Sequence, residues 1–439
     1  MKKFIKNMIG MFLILFCAGV FSGGTAVHAE ESDADVQKYI YREASGEMEE
    51  LVGIRISDEE EERLLEQQQA SSIQWSGNTE EDVFLDCGSD YGYQDMAKRS
   101  NGENRQDVYR EMEEASREFT LSGEDCTVNS STGDTYYVAA TINTTGREMS
   151  RDDVIETYFT FRNDNPQFFW LSNTILWGSR SIFVLSYDAY QNGDDRAEAF
   201  EEILQTADDV YHSKIAAGDS DYQTVKKIHD ALIADIEYSS DINEETAHSI
   251  AGAMTSARSA VCEGYAKVMQ LMMNYYDIPN IYVTGLGNGG SHAWNMVQMP
   301  NGKYYWLDAT WDDQEDEIFW YDYFLVGNEN FTDHIPDSPE NTGAYFLYEL
   351  PAASDTDYDP EKDQDIPEEI PDVIITGDVT GDETVNIEDL RMILRTVCGK
   401  VSLREWQRTA ADVTDDGSVD IEDLRMVLRF VCRKIDSLE

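Results

Sequence analysis

The sequence predicts an α+β protein with a small all-α module near its C-terminal end. Three observations lead there. A helical stretch opens at Cys262 and is followed by a hairpin that carries His292 and Asp308. Helix-period and strand-period segments intermingle upstream of it, and two near-identical Asp-rich loops each run into an amphipathic helix after residue 377.

In VCEGYAKVMQLMMNYYDIP, apolar residues at Ala266, Met269, Met272 or Met273 and Tyr276 keep a helical period that stops before Asp277-Ile278-Pro279. Cys262 therefore stands at a helix N-terminus, where N–H groups and the helix dipole favour a thiolate. The three methionines are expected to pack the core. In HAWNMVQMPNGKYYWLDA the turn falls at Pro300-Asn301-Gly302. A two-residue Asn-Gly loop would put His292 and Asp308 on opposite faces. A three-residue loop with Met299 opposite Lys303, or a single bulge, puts His292, Trp294, Met296, Trp306 and Asp308 on one face, and that register is expected.

A thiol, an imidazole and a carboxylate in this order suit nucleophilic acyl transfer: Cys262 attacks, His292 moves the proton, Asp308 fixes the tautomer. Each residue also has a bland reading, as a small core thiol, a structural histidine and a turn-capping aspartate. The three motifs together, VCEGYAKVMQLMM, SHAWNMV and KYYWLDATWDD, resemble the bacterial transglutaminase-like superfamily of papain-like Cys-His-Asp enzymes. The resemblance is strong over about residues 221–312, with DYQTVKKIHDALIADIEYSS as the helix preceding the nucleophile segment, and weaker back to Tyr91. It implies a Cys262 nucleophile, a His292 base and an Asp308 orienter. Beyond the Cys262 N–H, Tyr238 is a candidate oxyanion donor. No cofactor is implied for this core.

Residues 1–29 read as a secretory signal: Lys2, Lys3 and Lys6, an apolar run from Met8 to Phe21, then Val27-His28-Ala29. The protein is expected to be secreted, extracellular or held at the cell surface through a scaffold, with no direct membrane anchor. The net charge is −54, or −57 without the three signal lysines, which excludes nucleic acid and anionic membranes as natural partners. Five cysteines remain after the signal, Cys87, Cys126, Cys262, Cys398 and Cys432, an odd number that leaves a thiol for Cys262. A Cys87–Cys126 bridge is open; Cys398 and Cys432 are expected to pack rather than to bridge.

Residues 30–84 read as an acidic flexible or partly helical leader in which clusters such as Glu59–Glu62 are solvated. Residues 85–220 read as an α/β extension packed on the catalytic domain at 221–350, with helices in NRQDVYREMEEASREF and in SRDDVIETYFTFRND, capped by Ser150. YYVAATIN and SIFVLSYDAY read as strands and DRAEAFEEILQTADDVYHSKI as a long helix. The Pro- and acid-rich stretch at 351–376 reads as a linker.

After the linker, DVTGDETVNIEDLRMILRTVCGK and DVTDDGSVDIEDLRMVLRFVCRK repeat at an offset of 34 residues, identical at 16 of 23 positions. Oxygen-bearing residues fall at loop positions 1, 3, 5, 9 and 12: Asp378, Thr380, Asp382, Asn386 and Asp389, then Asp412, Thr414, Asp416, Asp420 and Asp423. The carbonyls of Thr384 and Ser418 would fill position 7. Hard oxygens at this spacing wrap one Ca2+ per loop. The half-motif, twice, resembles the type I dockerin domain, which plugs enzymes into cohesin modules of scaffold proteins. Thr380 and Thr414 stand where dockerins usually have Asp or Asn, and Glu383 stands where the first loop would favour Gly. By resemblance, Ile387-Glu388, Ile421-Glu422, Arg395 and Arg429 face the cohesin.

The leading expectation is a secreted thiol acyl-transfer enzyme acting on protein or peptide, with water slightly favoured over an amine as acceptor. A non-catalytic component of a scaffolded complex is the second reading. A polysaccharide-degrading enzyme is the third, since a carboxylate pair could be found anywhere among 87 acidic residues.

Overall fold

The computed structural model describes residues 28–33, 36–42, 48–67, 80–130, 133–216, 218–314, 320–338, 348–360, 374–380, 384–397, 403, 405–435 and 437–438. Residues 1–27 of the signal reading, 361–373 of the linker, Asp382 and Cys398 lie outside them.

Two sheets organise the larger part. The first contains β1 (His28–Asp33), β2 (Val36–Arg42), β3 (Leu51–Ile56), β4 (Thr127–Asn129), β5 (Thr135–Asn143), β6 (Leu171–Trp177) and β7 (Ser181–Ser186). Their order is β1-β2-β3-β6-β7-β5-β4. The β3–β6 pair is parallel, with Val52 opposite Thr174, and the other pairs are antiparallel.

This arrangement corrects the reading of 30–84 as a flexible or partly helical leader: helices form at Asp58–Gln67 and Glu80–Leu85, but the segment is built into the fold. Leu51, Val52 and Ile56 are buried in the sheet, and Leu64 on the following helix Asp58–Gln67 is fully buried. The acidic cluster is not all solvated either. Glu61 has no exposed surface, and its carboxylate accepts from Ser179 N at 3.2 Å and Arg180 N at 3.0 Å. A carboxylate that closes a turn through backbone donors reads in sequence like any surface acid.

The extension forms the elements its periodicity predicts. Gly102–Leu121 and Arg151–Asp164 are helices, and Ser150 and Asp153 form a reciprocal capping box on the second. The helix Gly193–Thr206 continues through a π turn over Ala207–Tyr211. One apolar core runs from Tyr41 through Phe159, Trp170 and Ile228 to Met269 and Tyr358. Strands, extension and nucleophile helix therefore share a single interior.

The second sheet contains β10 (Asn280–Gly287), β11 (Gly290–Gln298), β12 (Tyr304–Leu307), β13 (Phe324–Val326) and β14 (His334–Pro336), with a separate short pair β8 (Glu237–Tyr238) and β9 (Ser259–Ala260) nearer the nucleophile. The order is β13-β12-β11-β10-β14, antiparallel throughout. Residues 351–360 belong to this unit rather than to a linker. Tyr304 bridges Ala353, and Tyr358 N donates to Leu325 O at 2.9 Å while its ring lies 5.3 Å from that of Tyr305.

Cys87 and Cys126 are both buried and form no disulfide; Cys87 Sγ lies 3.2 Å from Val83 O. The C-terminal module has helices Ile387–Val397, Glu405–Ala411 and Ile421–Val431. Its own core includes Val379, Ile393, Ala410, Val413 and Val427. Cys432 is exposed there, not packed as expected.

Candidate active site and candidate calcium loops

The helix Cys262–Tyr275 starts where Val261 leaves extended backbone, so Cys262 takes the first helical position. Every residue from Cys262 to Met273 is buried, and Met269, Met272 and Met273 pack the main core, as the bland reading of the methionines had it. Gly264 lets the first turn approach its neighbours, because a Cβ there would stand 2.7 Å from Ala247 O. Short parallel pairing of Tyr238 with Ala260 holds the strand that leads into Cys262. The Cys262 side chain packs with Met48, Ala266, Tyr282 and Ala293, and its Sγ lies 3.9 Å from Met48 Sδ.

The hairpin has the three-residue loop. Met299 N donates to Lys303 O at 3.0 Å, Met296 stands opposite Trp306, and Gly302 takes a φ of 75°. His292, Trp294, Met296, Trp306 and Asp308 thus share one face, and His292 Nε2 meets Asp308 Oδ2 at 2.8 Å. Both side chains are buried. Gly287 makes room for this pair: a Cβ there would lie 2.8 Å from Trp311 Cζ2 and 3.0 Å from His292 Cδ2. Trp311 stacks on the imidazole with centroids 5.1 Å apart.

Asp308 also does what a turn-capping aspartate does. Its Oδ1 accepts from Thr310 N at 3.0 Å and Trp311 N at 3.3 Å, capping the short helix Ala309–Asp312. Burial alone would raise its pKa, but the field and hydrogen bond of His292 and the bond from His334 outweigh it and bring the carboxyl down to about 2.

Two features of this region were not anticipated from sequence. His334 on β14 approaches the same oxygen, with Nε2 3.1 Å from Asp308 Oδ2. Nothing in TDHIPD marks it, since its position depends on β14 pairing with β10 through Gly287 and His334. The second is a buried ionic cluster behind the nucleophile. Glu263 accepts from Arg42 at 2.9 Å and Tyr282 OH at 3.2 Å, and meets His248 Nδ1 at 2.6 Å. Glu49, next to Met48, pairs with Arg162 and accepts from Tyr187 OH. Burial opposes ionisation of Glu263, yet Arg42, His248 and Lys267 hold its carboxyl well below the usual range. Burial and Arg162 push Lys267 down to about 8.

Among the described residues, His292–Asp308–His334 and Glu49–His248–Glu263 each bring ligand-type atoms within 4.8 Å of one another. In the first, all the carboxylate's lone pairs already meet donors. In the second, Arg42 and Arg162 supply the positive charge. Neither is read as a metal centre.

The two C-terminal loops have equivalent local bonding. Asp389 Oδ1 accepts from Thr380 N and Oγ1, both at 3.0 Å, and Oδ2 from Asn386 N at 2.8 Å. Asp423 Oδ1 accepts from Thr414 N and Oγ1, both at 3.0 Å, and Oδ2 from Asp420 N at 2.9 Å. In the second loop Asp416 N and Gly417 N donate to the carboxylate of Asp412, and Gly417 makes the sharp turn at a φ of 89°. Burial first, then Asp378, raises the pKa of Asp389, a strain that a cation would relieve. A donor set of carboxylates, hydroxyls and carbonyls fits Ca2+.

Comparison with known proteins agrees in two places along the chain. Residues 209–309 match the transglutaminase-like superfamily, and residues 376–431 match the type I dockerin domain. No curated protein matches. A solved structure described as the crystal structure of a TGase is similar at 15% identity and a TM-score of 0.25, over 32% of this chain and 44% of that one. The chain thus carries a transglutaminase-like core domain and a type I dockerin domain.

Proposed function

We propose that the protein is a secreted thiol acyl-transfer enzyme, a peptidase or amidase or a protein-glutamine acyltransferase, tethered through its dockerin to a cohesin-bearing scaffold. The buried His292 Nε2–Asp308 Oδ2 bond of 2.8 Å, beside a helix that begins at Cys262, carries the reading. With Nε2 committed to Asp308, Nδ1 is the nitrogen assigned to the thiol. The Cys262 thiolate attacks a carboxamide or peptide carbonyl carbon, and the Cys262 N–H at the helix start faces the developing oxyanion, with Tyr238 as second candidate donor. The imidazolium protonates the departing amine or ammonia and leaves a thioester. Water or an amine then attacks the thioester while His292 takes its proton, and the thiol is restored.

In the dockerin, Asp378, Thr380, Asp382, Thr384, Asn386 and Asp389 would hold one Ca2+, and Asp412, Thr414, Asp416, Ser418, Asp420 and Asp423 a second. Calcium held there would tie each loop to the helix that follows it. Leu394 and Leu428, equivalent across the repeat, are each 45% exposed and, with Ile421, Glu422 and Arg429, suit contact with a cohesin.

A second reading has one observation in its favour. Cys262 has no exposed surface and Met48 lies on its sulfur, as in a structural thiol within a non-catalytic scaffold component. The pH dependence of iodoacetamide alkylation at Cys262 decides between them, read by peptide mass spectrometry in wild type and His292→Ala. Alkylation well below pH 7 that disappears with the histidine supports the enzyme. A profile centred near the free-thiol value of about 8.5 and unchanged by the substitution sinks it.

A further inference from the structure

We infer that His334 is a positioning residue of this site: by donating to the oxygen of Asp308 that His292 uses, it lowers the proton affinity of His292. The inference rests on the triad reading and extends it to a fourth residue. The imidazole of His334 is fixed from every side. Its Nε2 lies 3.1 Å from Asp308 Oδ2 and its Nδ1 2.9 Å from Asp333 Oδ1. Asp333 is itself held, since its Oδ2 accepts from Tyr323 OH at 2.7 Å and its carbonyl accepts from Asn288 N at 2.8 Å. Phe331 stacks on the ring at 3.9 Å, and Trp311 and Trp294 stand 4.2 and 4.9 Å away.

The chemical consequence follows from the sharing. An orienting carboxylate stabilises an imidazolium through the electron density of the oxygen it presents. Here Oδ2 serves two imidazoles while Oδ1 serves two backbone N–H groups, so each donor weakens what remains for the others. The titratable groups facing His292 and Asp308 are His334, with Asp333 and Tyr323 behind it, and Asp312, which pairs with His229 at 3.2 Å; Cys262 is the thiol that the triad reading assigns to His292. Of these, His334 alone contacts the shared oxygen among the described residues. Removing it concentrates Asp308 on His292, and the imidazolium should hold its proton to higher pH.

A histidine that only filled the aromatic box could be replaced by phenylalanine with no electrical effect. The test is therefore a ring 1H–15N titration of His292 in histidine-labelled protein, which has only six histidines to resolve. His334→Phe should raise the His292 midpoint by about one pH unit, a roughly tenfold gain in proton affinity. His334→Gln, whose amide can still donate to Asp308, should stay near wild type. An unmoved midpoint in His334→Phe overturns the inference. Should that variant fail to fold, the wild-type spectrum suffices: a protonated Nε2 on His334 bonded to a carboxylate supports it, and a bare Nε2 overturns it. Cys262→Ser separates the underlying reading. If it leaves the His292 midpoint in place, the thiol and imidazole are not a pair, whatever His334 does.

Discussion

Arg42 donates to Glu263 at 2.9 Å across 221 residues of chain, joining the N-terminal strand to the residue after the candidate nucleophile. Glu263 is fully buried, and the Arg42 side chain is mostly so. Breaking one side of a buried pair leaves the other charge uncompensated, at about 3 kcal/mol or more. Arg42→Met should therefore destabilise the fold by about that much in urea titrations. Lys38→Ala, at a half-exposed pair with Glu50, should change stability by under about 1 kcal/mol. A chain begun at residue 85 should lose cooperative unfolding altogether. Equal stability of Arg42→Met and wild type would show that the segment rests on the core without supporting it.

How much of this was legible in the sequence depends on the range of the interaction. Cys262, His292 and Asp308 each sit in a locally readable setting: a helix start, a parity-fixed strand position and a strand end. The hairpin register followed from side-chain alternation together with the requirement that His292 and Asp308 share a face. The leader was misread because KYIYR and LVGIRI are short and flanked by acids, and because β3 is stabilised by parallel pairing with β6, more than 100 residues away. His334, Arg42 and Glu49 acquire their roles only when distant elements meet, so no local pattern announces them. Cys432 was misread because its helix position repeats that of Cys398, yet the helix end leaves it in solvent.

Gly287 leaves no room for a side chain between Trp311 and His292. Placing a Cβ 2.8 Å from Trp311 Cζ2 and 3.0 Å from His292 Cδ2 must displace an aromatic ring or the imidazole. Overpacking of this kind costs about 1–3 kcal/mol. Gly287→Ala should slow Cys262 alkylation near neutral pH by roughly tenfold while shifting the imidazole off Asp308. An alkylation profile identical to wild type would mean that His292 tolerates the displacement or does not act on the thiol.

The carboxyl of Asp308 titrates near 2 in the folded protein and near 3.9 when unfolded. Its folded value is the lower, so its contribution is complete above about pH 4 and fades as the pH falls through about 2. Two units correspond to about 2.5 kcal/mol. The stability gap between wild type and Asp308→Asn, measured by urea titration, should narrow by roughly that amount between pH 6 and pH 2. A gap constant with pH would show that Asp308 contributes through its cap to Thr310 and Trp311 and not through its charge.

Calcium should act on the C-terminal module alone. Asp423 closes the second loop by accepting from Thr414 and Asp420, and Asp412 gathers Asp416 N and Gly417 N, so the loop is already drawn into shape. An ion that binds the folded loop and not the unfolded chain adds about 2.7 kcal/mol at a hundred times its dissociation constant. Asp423→Ala should remove that gain for one loop. It should also release the backbone donors that Asp423 holds, so some loss is expected even in chelator. Asp389→Ala should behave alike, although its neutralisation relieves a carboxyl that burial disfavours, and the loss without calcium should be smaller. Thermal unfolding with calcium and with chelator, followed by calorimetry and, in a Trp406→Phe chain, by Trp fluorescence of the core, separates the two units. The core transition should stay in place. If calcium raised the melting of neither the module nor a cohesin-bound form, the threonines at loop position 3 would have cost the loops their affinity.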